Sequence, residues 1–325
     1  MSAPEAPQAG GPDEFGQISR LFRPLTNGAP EALGLLDDAA AIPSRPGFDL
    51  IVTKDAMVEG VHFLPDEAPG LIARKLLRVN LSDLAAKGAE PYGYFLATAW
   101  TPGFGWNERQ AFAEGLRIDG AAYGLTLLGG DTVSTPGPLT LSLTMLGWTP
   151  NGAMIRRGGA QAGDLICVSG VIGDGWLGLK AARGELADPG GYLAGRYRLP
   201  SPRVELREAL RAHASAAADI SDGLIADAGH IGEASGLAVR LELDRLPLST
   251  AARAWLDAQN DRAGALRDLA SGGDDYEIVC TVRPGAAARA LGLTVIGSVS
   301  EGAGISVTVD GGDIAPGPGG WKHPL

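Results

Sequence analysis

The chain has 325 residues, 45% of them hydrophobic and 20% charged, which is the balance of a folded globular protein with room for two domains. A net charge of −11 argues against the concentrated basic face that nucleic acid requires, so any phosphate must be met by individual arginines, backbone N–H groups or metal ions. Two cysteines are too few for a disulfide framework or a cysteine zinc site, and no apolar run approaches the roughly 18 residues of a membrane span.

Residues 1–13 have neither a basic n-region nor an apolar h-region, so they read as a flexible tail rather than a signal peptide, and the cytoplasm is the expected location. FGQISRLFRPL then has helical spacing. A strand is expected at about 49–54 (DLIVTK), a helix at about 70–87, a strand at YGYFLATAW, a helix at ERQAFAEGLRIDGAAYG, and strands at LTLLGGD and LTLSLTMLGW. The Gly-rich stretch TPNGAMIRRGGAQAGD (149–164) is the best candidate for a domain boundary, dividing the chain into 14–150 and 151–325. The second half restarts with the strand LICVSG, a helix near 203–213 and a strand-to-helix turn at ADISDGLIADAGHI. The strands LAVRLEL, YEIVCTV and LTVIGSV follow. Alternating strands and helices make the chain α/β or α+β. Cys167 and Cys280 lie inside apolar strand-like runs and are expected to be buried, reduced thiols.

The stretch VTKDAMVEGVHF (52–63) runs an apolar strand into Asp55, Glu59 and His62. Other carboxylates also stand at the ends of apolar runs or beside glycines: Asp37 and Asp38 in GLLDDAAAI, Asp131 in LLGGD, Asp219 and Asp222 in DISDGL, Asp274 and Asp275 in GGDDYE. Asp83 is the most telling. At 100° per residue it shares a helix face with Ile72, Leu76 and Val79, which turns a carboxylate inward. It must be neutralised, hydrogen-bonded, paired with Arg74 or Arg78, or bound to a metal. Two carboxylates about 4 Å apart repel by roughly 4 kcal/mol at an effective dielectric near 20, so a cluster of such acids calls for divalent cations. Magnesium suits an all-oxygen site that keeps waters and shares substrate phosphates, whereas calcium would bring an EF-hand loop and zinc would favour His and Cys.

GDGWLG (173–178) matches a dinucleotide-binding fingerprint, but no second strand ends in an acid about 20 residues further on, so a dinucleotide site is rejected. None of Lys54, Lys75, Lys87, Lys180 and Lys322 sits in a P-loop. SDG at 221–223 offers amides at a helix N-terminus, either as an anion site or as an ordinary cap. Arg156 and Arg157 in MIRRGG suit phosphate contact or a solvated turn. His62, seven residues after Asp55, is either structural or a contact for an anionic substrate group.

Taken in order, DDAAAI, TKDAMVEGVHFLP, VNLSDLAAKGAEP, LLGGDT, GDGWLGL, DISDGLIADAGHI, SGGDDYEI and the terminal GWKHPL resemble the thiamine-monophosphate kinase family, within the aminoimidazole ribonucleotide synthetase superfamily. NLSDLAA with GGD is shared across that superfamily, whereas EGVHF, the SDGL…D.GHI segment and Trp321 point to the kinase. The resemblance implies a two-domain PurM-like fold: an N-terminal ATP- and metal-binding domain whose sheet pairs across a homodimer, and a C-terminal α/β domain. It implies transfer of the γ-phosphoryl group of ATP to thiamine monophosphate, with several Mg2+ ions and no residue acting as general acid or base. By position, Asp38, Thr53, Asp55, Asp83, Asp131 and Asp219 match metal ligands, Lys54 contributes at most its backbone carbonyl, and Asp222 matches an outer metal position. Tyr123, Gly130, Asp131, Arg157 and Ser221 match nucleotide contacts, and His62, Asp274 and Trp321 match substrate contacts. Leu36, Lys54 and Asp274 stand where the family usually has Gly, Thr and Glu.

Rival readings are other superfamily enzymes and a non-catalytic Mg-ATP-binding relative. Selenophosphate synthetase would carry a reactive Cys or selenocysteine near its start, and the hydrogenase maturation protein a C-terminal Cys; the two cysteines here are internal. Aminoimidazole ribonucleotide synthetase does not account for EGVHF or Trp321.

Overall fold

The computed structural model describes residues 12–285, 292–317 and 320. The tail expected over 1–13 therefore lies, up to residue 11, outside the described residues, as does Trp321. Helix α1 (Glu14–Gln17) starts where the Asp13 carboxylate accepts the Gly16 amide at 3.0 Å. It passes through a π turn (Ile18–Phe22) into a 3-10 turn (Arg23–Thr26). Pro24, which has no amide proton and cannot sit in a helix interior, stands in that last turn, so the expected helix becomes three short helical turns that still bury Leu21, Phe22 and Leu25. A further 3-10 segment (Pro30–Leu35) is broken at Leu33 and Gly34, both at positive φ.

Strands β1 (Phe48–Val58), β2 (Glu90–Trp100), β3 (Thr126–Ser134) and β4 (Thr140–Pro150) form a sheet in the order β1-β4-β2-β3, with β2 and β3 parallel. Helices α2 (Pro69–Ala86) and α3 (Trp106–Tyr123) lie between these strands in sequence. The face of α2 expected to turn inward does so, with Ile72, Leu76 and Val79 all buried. Gly115 of α3 lies against Gly70 of α2: a Cβ added there would sit 2.3 Å from the Gly70 carbonyl oxygen. Trp100 stacks on Phe104 at 5.0 Å and meets Phe112 edge-on, closing the apolar packing at the end of β2.

The second sheet has the order β11-β10-β7-β9-β5-β8-β6. Its strands are β5 (Leu165–Val168), β6 (Ala214–Asp219), β7 (Ala238–Glu242), β8 (Ile278–Val282), β9 (Thr294–Ser300), β10 (Ile305–Val309) and β11 (Gly312–Ile314). Its helices are α4 (Asp174–Ala182), α5 (Tyr192–Arg198), α6 (Arg207–His213), α7 (Leu224–Ser235), α8 (Thr250–Asp257) and α9 (Arg262–Ser271). Both faces of this sheet are covered. Val168, Ala218 and Val279 pack with α7 and α9, while Cys167, Ala217 and Cys280 pack with Leu210 of α6, Ala85 and Ala86. Double burial is why LICV and IVCTV read as continuous apolar runs instead of alternating ones. Cys167 and Cys280 are free, buried register partners across β5 and β8; burial raises the Cys167 thiol to about 11 and the Cys280 thiol further.

The described residues fall into two compact units. One comprises those up to Arg45 with Lys54–Leu77 and Tyr92–Leu146. The other comprises Pro46–Thr53, Arg78–Pro91 and those from Gly147 onward. No helix among the described residues is long and apolar enough to cross a membrane.

The glycine contact between α2 and α3 is testable. Gly115→Ala places a methyl group into the Gly70 carbonyl and is expected to cost about 1–3 kcal/mol of stability, measured by chemical denaturation. Gly124→Ala, at the left-handed cap of α3 with open space around it, is expected to show only the smaller cost of a strained φ.

Candidate active site

Within the first unit, a cavity of about 430 Å3 is lined by both apolar side chains and carboxylates. Phe15, Ile18, Phe22, Leu35 and Leu36 are among the apolar residues of the lining; Asp37, Asp38, Gly130, Asp131 and Thr132 are among the rest. The glycines preceding Asp131 are required by the parallel pairing of β2 and β3: a Cβ on Gly130 would lie 2.0 Å from the Leu96 carbonyl oxygen, and one on Gly129 would lie 3.1 Å from the Phe95 ring. Asp131 turns one carboxylate oxygen back to the Thr132 amide at 2.9 Å, and Asp37 accepts the Asp38 amide at 2.8 Å. Leu36 is 79% exposed and follows Leu35, which holds a positive φ of 53°, so the chain takes its left-handed turn one residue before Leu36.

Lys54, Asp55, His62 and Tyr123 do not line this cavity. Lys54 is exposed and donates to Ser142 Oγ at 2.7 Å. His62 is tied back to β1, where its Nδ1 accepts the Val58 amide at 3.0 Å, leaving the proton of the neutral imidazole on Nε2. Its carbonyl accepts from the buried Lys75 at 3.1 Å. Tyr123 is the last residue of α3.

Within the second unit, Thr53 donates a short hydrogen bond from Oγ1 to Asp83. Of the arginines considered as partners for Asp83, Arg74 is bound to Asp119 at 2.9 Å, and Arg78 donates to the Pro200 carbonyl at 3.0 Å. Asp219 ends β6 and is 5% exposed. Lys87 reaches the same strand, donating to the Ala217 carbonyl at 2.8 Å. Its pKa is lowered by burial, against the attraction of Asp219, with Arg157 adding to the lowering and Asp83 opposing it. After β6, the amides of Ser221 and Asp222 donate to the buried Asp227 carboxylate at 3.1 and 3.2 Å. Burial, then the neighbouring Asp222, raise Asp227 to about 6.

The segment 272–277 is laid against that turn. The Asp274 amide donates to the Ser221 carbonyl at 2.9 Å and the Tyr276 amide to the Ile220 carbonyl at 2.8 Å. Asp274 itself sits at a φ of +67°. Asp275 is fully buried, and its carboxylate accepts the Gly173 and Gly175 amides at 2.7 and 2.8 Å. The N-terminus of α4 is thereby already filled by the chain's own carboxyl group, which gives a structural reason for rejecting GDGWLG as a dinucleotide site. Glu277, also fully buried, accepts Arg203 Nε and Ser169 Oγ, both at 2.6 Å, and Arg196 Nη2 at 3.2 Å.

The structure thus brings Asp38, Gly130 and Asp131 around one cavity, joins Thr53 to Asp83, and seats Asp274 on the Ser221–Asp222 turn. Sequence reasoning singled out Asp275 without giving it a role, and missed Asp227, Glu277 and Lys87. Asp227 was accessible to the argument used for Asp83, since it is a lone acid on the apolar helix LIADAGHI.

The donors fit a hard divalent cation. They are oxygens throughout, and the cavity's carboxylates Glu14, Asp37, Asp38 and Asp131 have no lysine or arginine among the lining residues. Among the described residues no three His, Cys, Asp or Glu groups form a cage.

The family models for AIR synthase related protein match the chain at residues 36–149 for the N-terminal domain and 161–310 for the C-terminal domain. The thiamine-monophosphate kinase of Caulobacter vibrioides is 57% identical over 98% of this chain and 93% of its own length. The crystal structure of thiamine-monophosphate kinase from Stenotrophomonas maltophilia K279a is 39% identical, covers 92% of this chain and 97% of its own, and superimposes with a TM-score of 0.79. AaThiL complexed with AMPPCP and TMP is 29% identical, with coverages of 95% and 96% and a TM-score of 0.78.

Asp275 gives a pH-resolved prediction. Burial raises its carboxyl to about 8, against the pull of the Gly173 and Gly175 amides and Arg196. A carboxyl whose pKa rises on folding holds its proton more tightly when folded, so its contribution is complete below about pH 4 and is lost as pH climbs through about 8. Asp275→Asn turns an NH2 group toward a backbone N–H and is expected to cost about 1–3 kcal/mol at pH 5. Denaturation midpoints should show the gap to wild type narrowing by pH 9.

Proposed function

Since the chain belongs to the thiamine-monophosphate kinase family of AIR synthase related proteins, we propose that it transfers the γ-phosphoryl group of ATP to the phosphate of thiamine monophosphate, giving thiamine diphosphate and ADP. The observation that carries this reading is 57% identity to a thiamine-monophosphate kinase across 98% of the chain. The likeness to AaThiL in complex with AMPPCP, an ATP analogue, and TMP supports the same pair of substrates.

The acceptor is a phosphate monoester with a second pKa of about 6, so its oxygen is already an anion near neutral pH and no general base is needed. What the site must do is bring two polyanions together. Magnesium, when bound, supplies the positive charge that lets them approach in line. Asp38, Thr53, Asp55, Asp83, Asp131 and Asp219 hold it, with the Lys54 carbonyl at the edge and Asp222 further out; the all-oxygen donor set supports this assignment. Gly130, Asp131, Arg157, Ser221 and Tyr123 bind the nucleotide, and the apolar residues lining the first-unit cavity offer a flat ring a surface to pack on. His62 donates from Nε2 to the acceptor's phosphate, a role favoured by the tautomer its Nδ1 contact selects. Asp274 and Trp321 complete the substrate contacts.

In this reading the chain divides near residue 150, with an ATP- and metal-binding domain over 14–150 and a C-terminal domain over 151–325; family-model matches at 36–149 and 161–310 support it. It works in the cytoplasm as a homodimer. The outer strands of the first sheet support pairing between copies, since β1 leaves Leu50 and Val52 exposed and β3 leaves Val133 exposed.

The purified protein with ATP, magnesium and thiamine monophosphate is expected to form thiamine diphosphate with one ADP per product, and none without magnesium, followed by chromatography. Asp83→Ala is expected to lower kcat by ~100-fold or more. His62→Ala is expected to raise the KM for thiamine monophosphate by about tenfold, the worth of one hydrogen bond to a charged group. No product from folded, ATP-binding protein would reject this substrate.

A further inference from the structure

Lys87 follows directly on α2, four residues after Asp83, and its position is fixed from several sides within the second unit. Its amide donates to the Asp83 carbonyl at 3.0 Å, its carbonyl accepts the Ile155 amide at 3.3 Å, and Gly88 turns the chain away at a φ of +69°. The half-buried side chain ends on the Ala217 carbonyl of β6 at 2.8 Å, two residues before Asp219. The ammonium is thus anchored by a neutral backbone oxygen while lying in the field of two carboxylates, Asp83 and Asp219, and of Arg157.

That placement is unusual for a lysine. A surface lysine would hold its charge in water, and a structural ion pair would close directly on one carboxylate. Here the charge is held where it acts on both carboxylates. Asp83 is otherwise met by the Thr53 hydroxyl, which supplies no charge, and Asp219 is nearly fully buried at the end of its strand.

We propose that Lys87 is a positioning residue: a fixed counter-charge for Asp83 and Asp219 that sets the magnesium concentration at which their part of the site fills. With no cation bound, the ammonium attracts each of the two carboxylates. When a divalent cation arrives, the same ammonium opposes it, so filling requires more magnesium than the bare carboxylates would. The inference rests on the reading of Asp83 and Asp219 as magnesium ligands.

The test uses the full chain without nucleotide, with magnesium chloride alone as the probe and sodium chloride at matched ionic strength as the control. Binding is read both as heat in calorimetry and as the rise in Tm. Lys87→Met keeps the length and helix preference of the side chain without its charge. It is expected to lower the half-saturating magnesium concentration by ~10-fold or more, since even at the dielectric of bulk water a unit charge about 6 Å from a divalent cation is worth over about 1 kcal/mol. Lys87→Arg, which keeps the charge, is expected to stay within about twofold of wild type on the same scale. Unchanged or weaker magnesium binding by a folded Lys87→Met protein would overturn the proposal. Asp219→Asn separates the two layers. If wild type binds magnesium and Asp219→Asn does not, the ligand reading stands and the Lys87 result judges the counter-charge alone. If Asp219→Asn binds as wild type does, the ligand reading fails and the proposal falls with it.

Discussion

Two carboxylates that have lost all contact with water, Asp275 and Glu277, organise the second unit around them. A buried carboxyl group, protonated or ionised, cannot be left unmet in such surroundings, so each needs partners held in place by something rigid. Asp275 takes its donors from the first amides of α4, and Glu277 takes its donors from Arg203, Arg196 and Ser169. Those demands bring backbones together more closely than a side chain permits. Gly175 lies against the Asp274 carbonyl, Gly273 against the Ser221 carbonyl, and Gly223 against the Ser271 carbonyl, where an added Cβ would stand within 2.4 Å of oxygen in each case. The glycines of GDGW, SDGL and SGGDD are therefore parts of one packing arrangement, although some 100 residues separate the first from the last. Asp274, Ser221 and Asp222 inherit their positions from it.

The two units handle negative charge differently. In the second, buried acids are met internally by amides, hydroxyls, arginines and Lys87. In the first, Asp37, Asp38 and Asp131 are exposed and line a cavity with no basic side chain among its lining residues. An acidic protein that handles phosphates must import its positive charge, and this cavity is where the chain leaves such charge to be brought in by something else. The surplus of acids over bases, 38 against 27, is in that sense part of the chemistry and not only of solubility.

Much of this was legible in the sequence because the signals were local. The alternation of strands and helices, the inward face of α2, and the burial of both cysteines followed from periodicity and composition. Asp83 announced itself as an acid on an apolar face. Helices α5, α8 and α9 and strands β10 and β11 carried weaker signals: they are short, and α9 (RAGALRDLAS) mixes charge with small residues. Asp275 and Glu277 were illegible for another reason. Their partners at Gly173, Gly175, Arg196 and Arg203 lie between about 70 and 100 residues away, and no pattern within SGGDDYEIV distinguishes a buried acid from the half-buried one next to it. Lys87 was invisible for the same reason, since what makes it notable is where Ala217 and Asp219 stand.

The facing pair of thiols on β5 and β8 has a practical side. Both lie in the doubly covered centre of the sheet, and burial keeps them protonated at neutral pH, so neither presents a thiolate to reagents in solution. A cysteine introduced on the surface would then be the one position a maleimide label finds while the protein stays folded. Fluorescent or spin probes can thus be attached to either unit without first removing native cysteines from the core, and the distances that report motion between bound and free forms can be read in the unaltered protein interior.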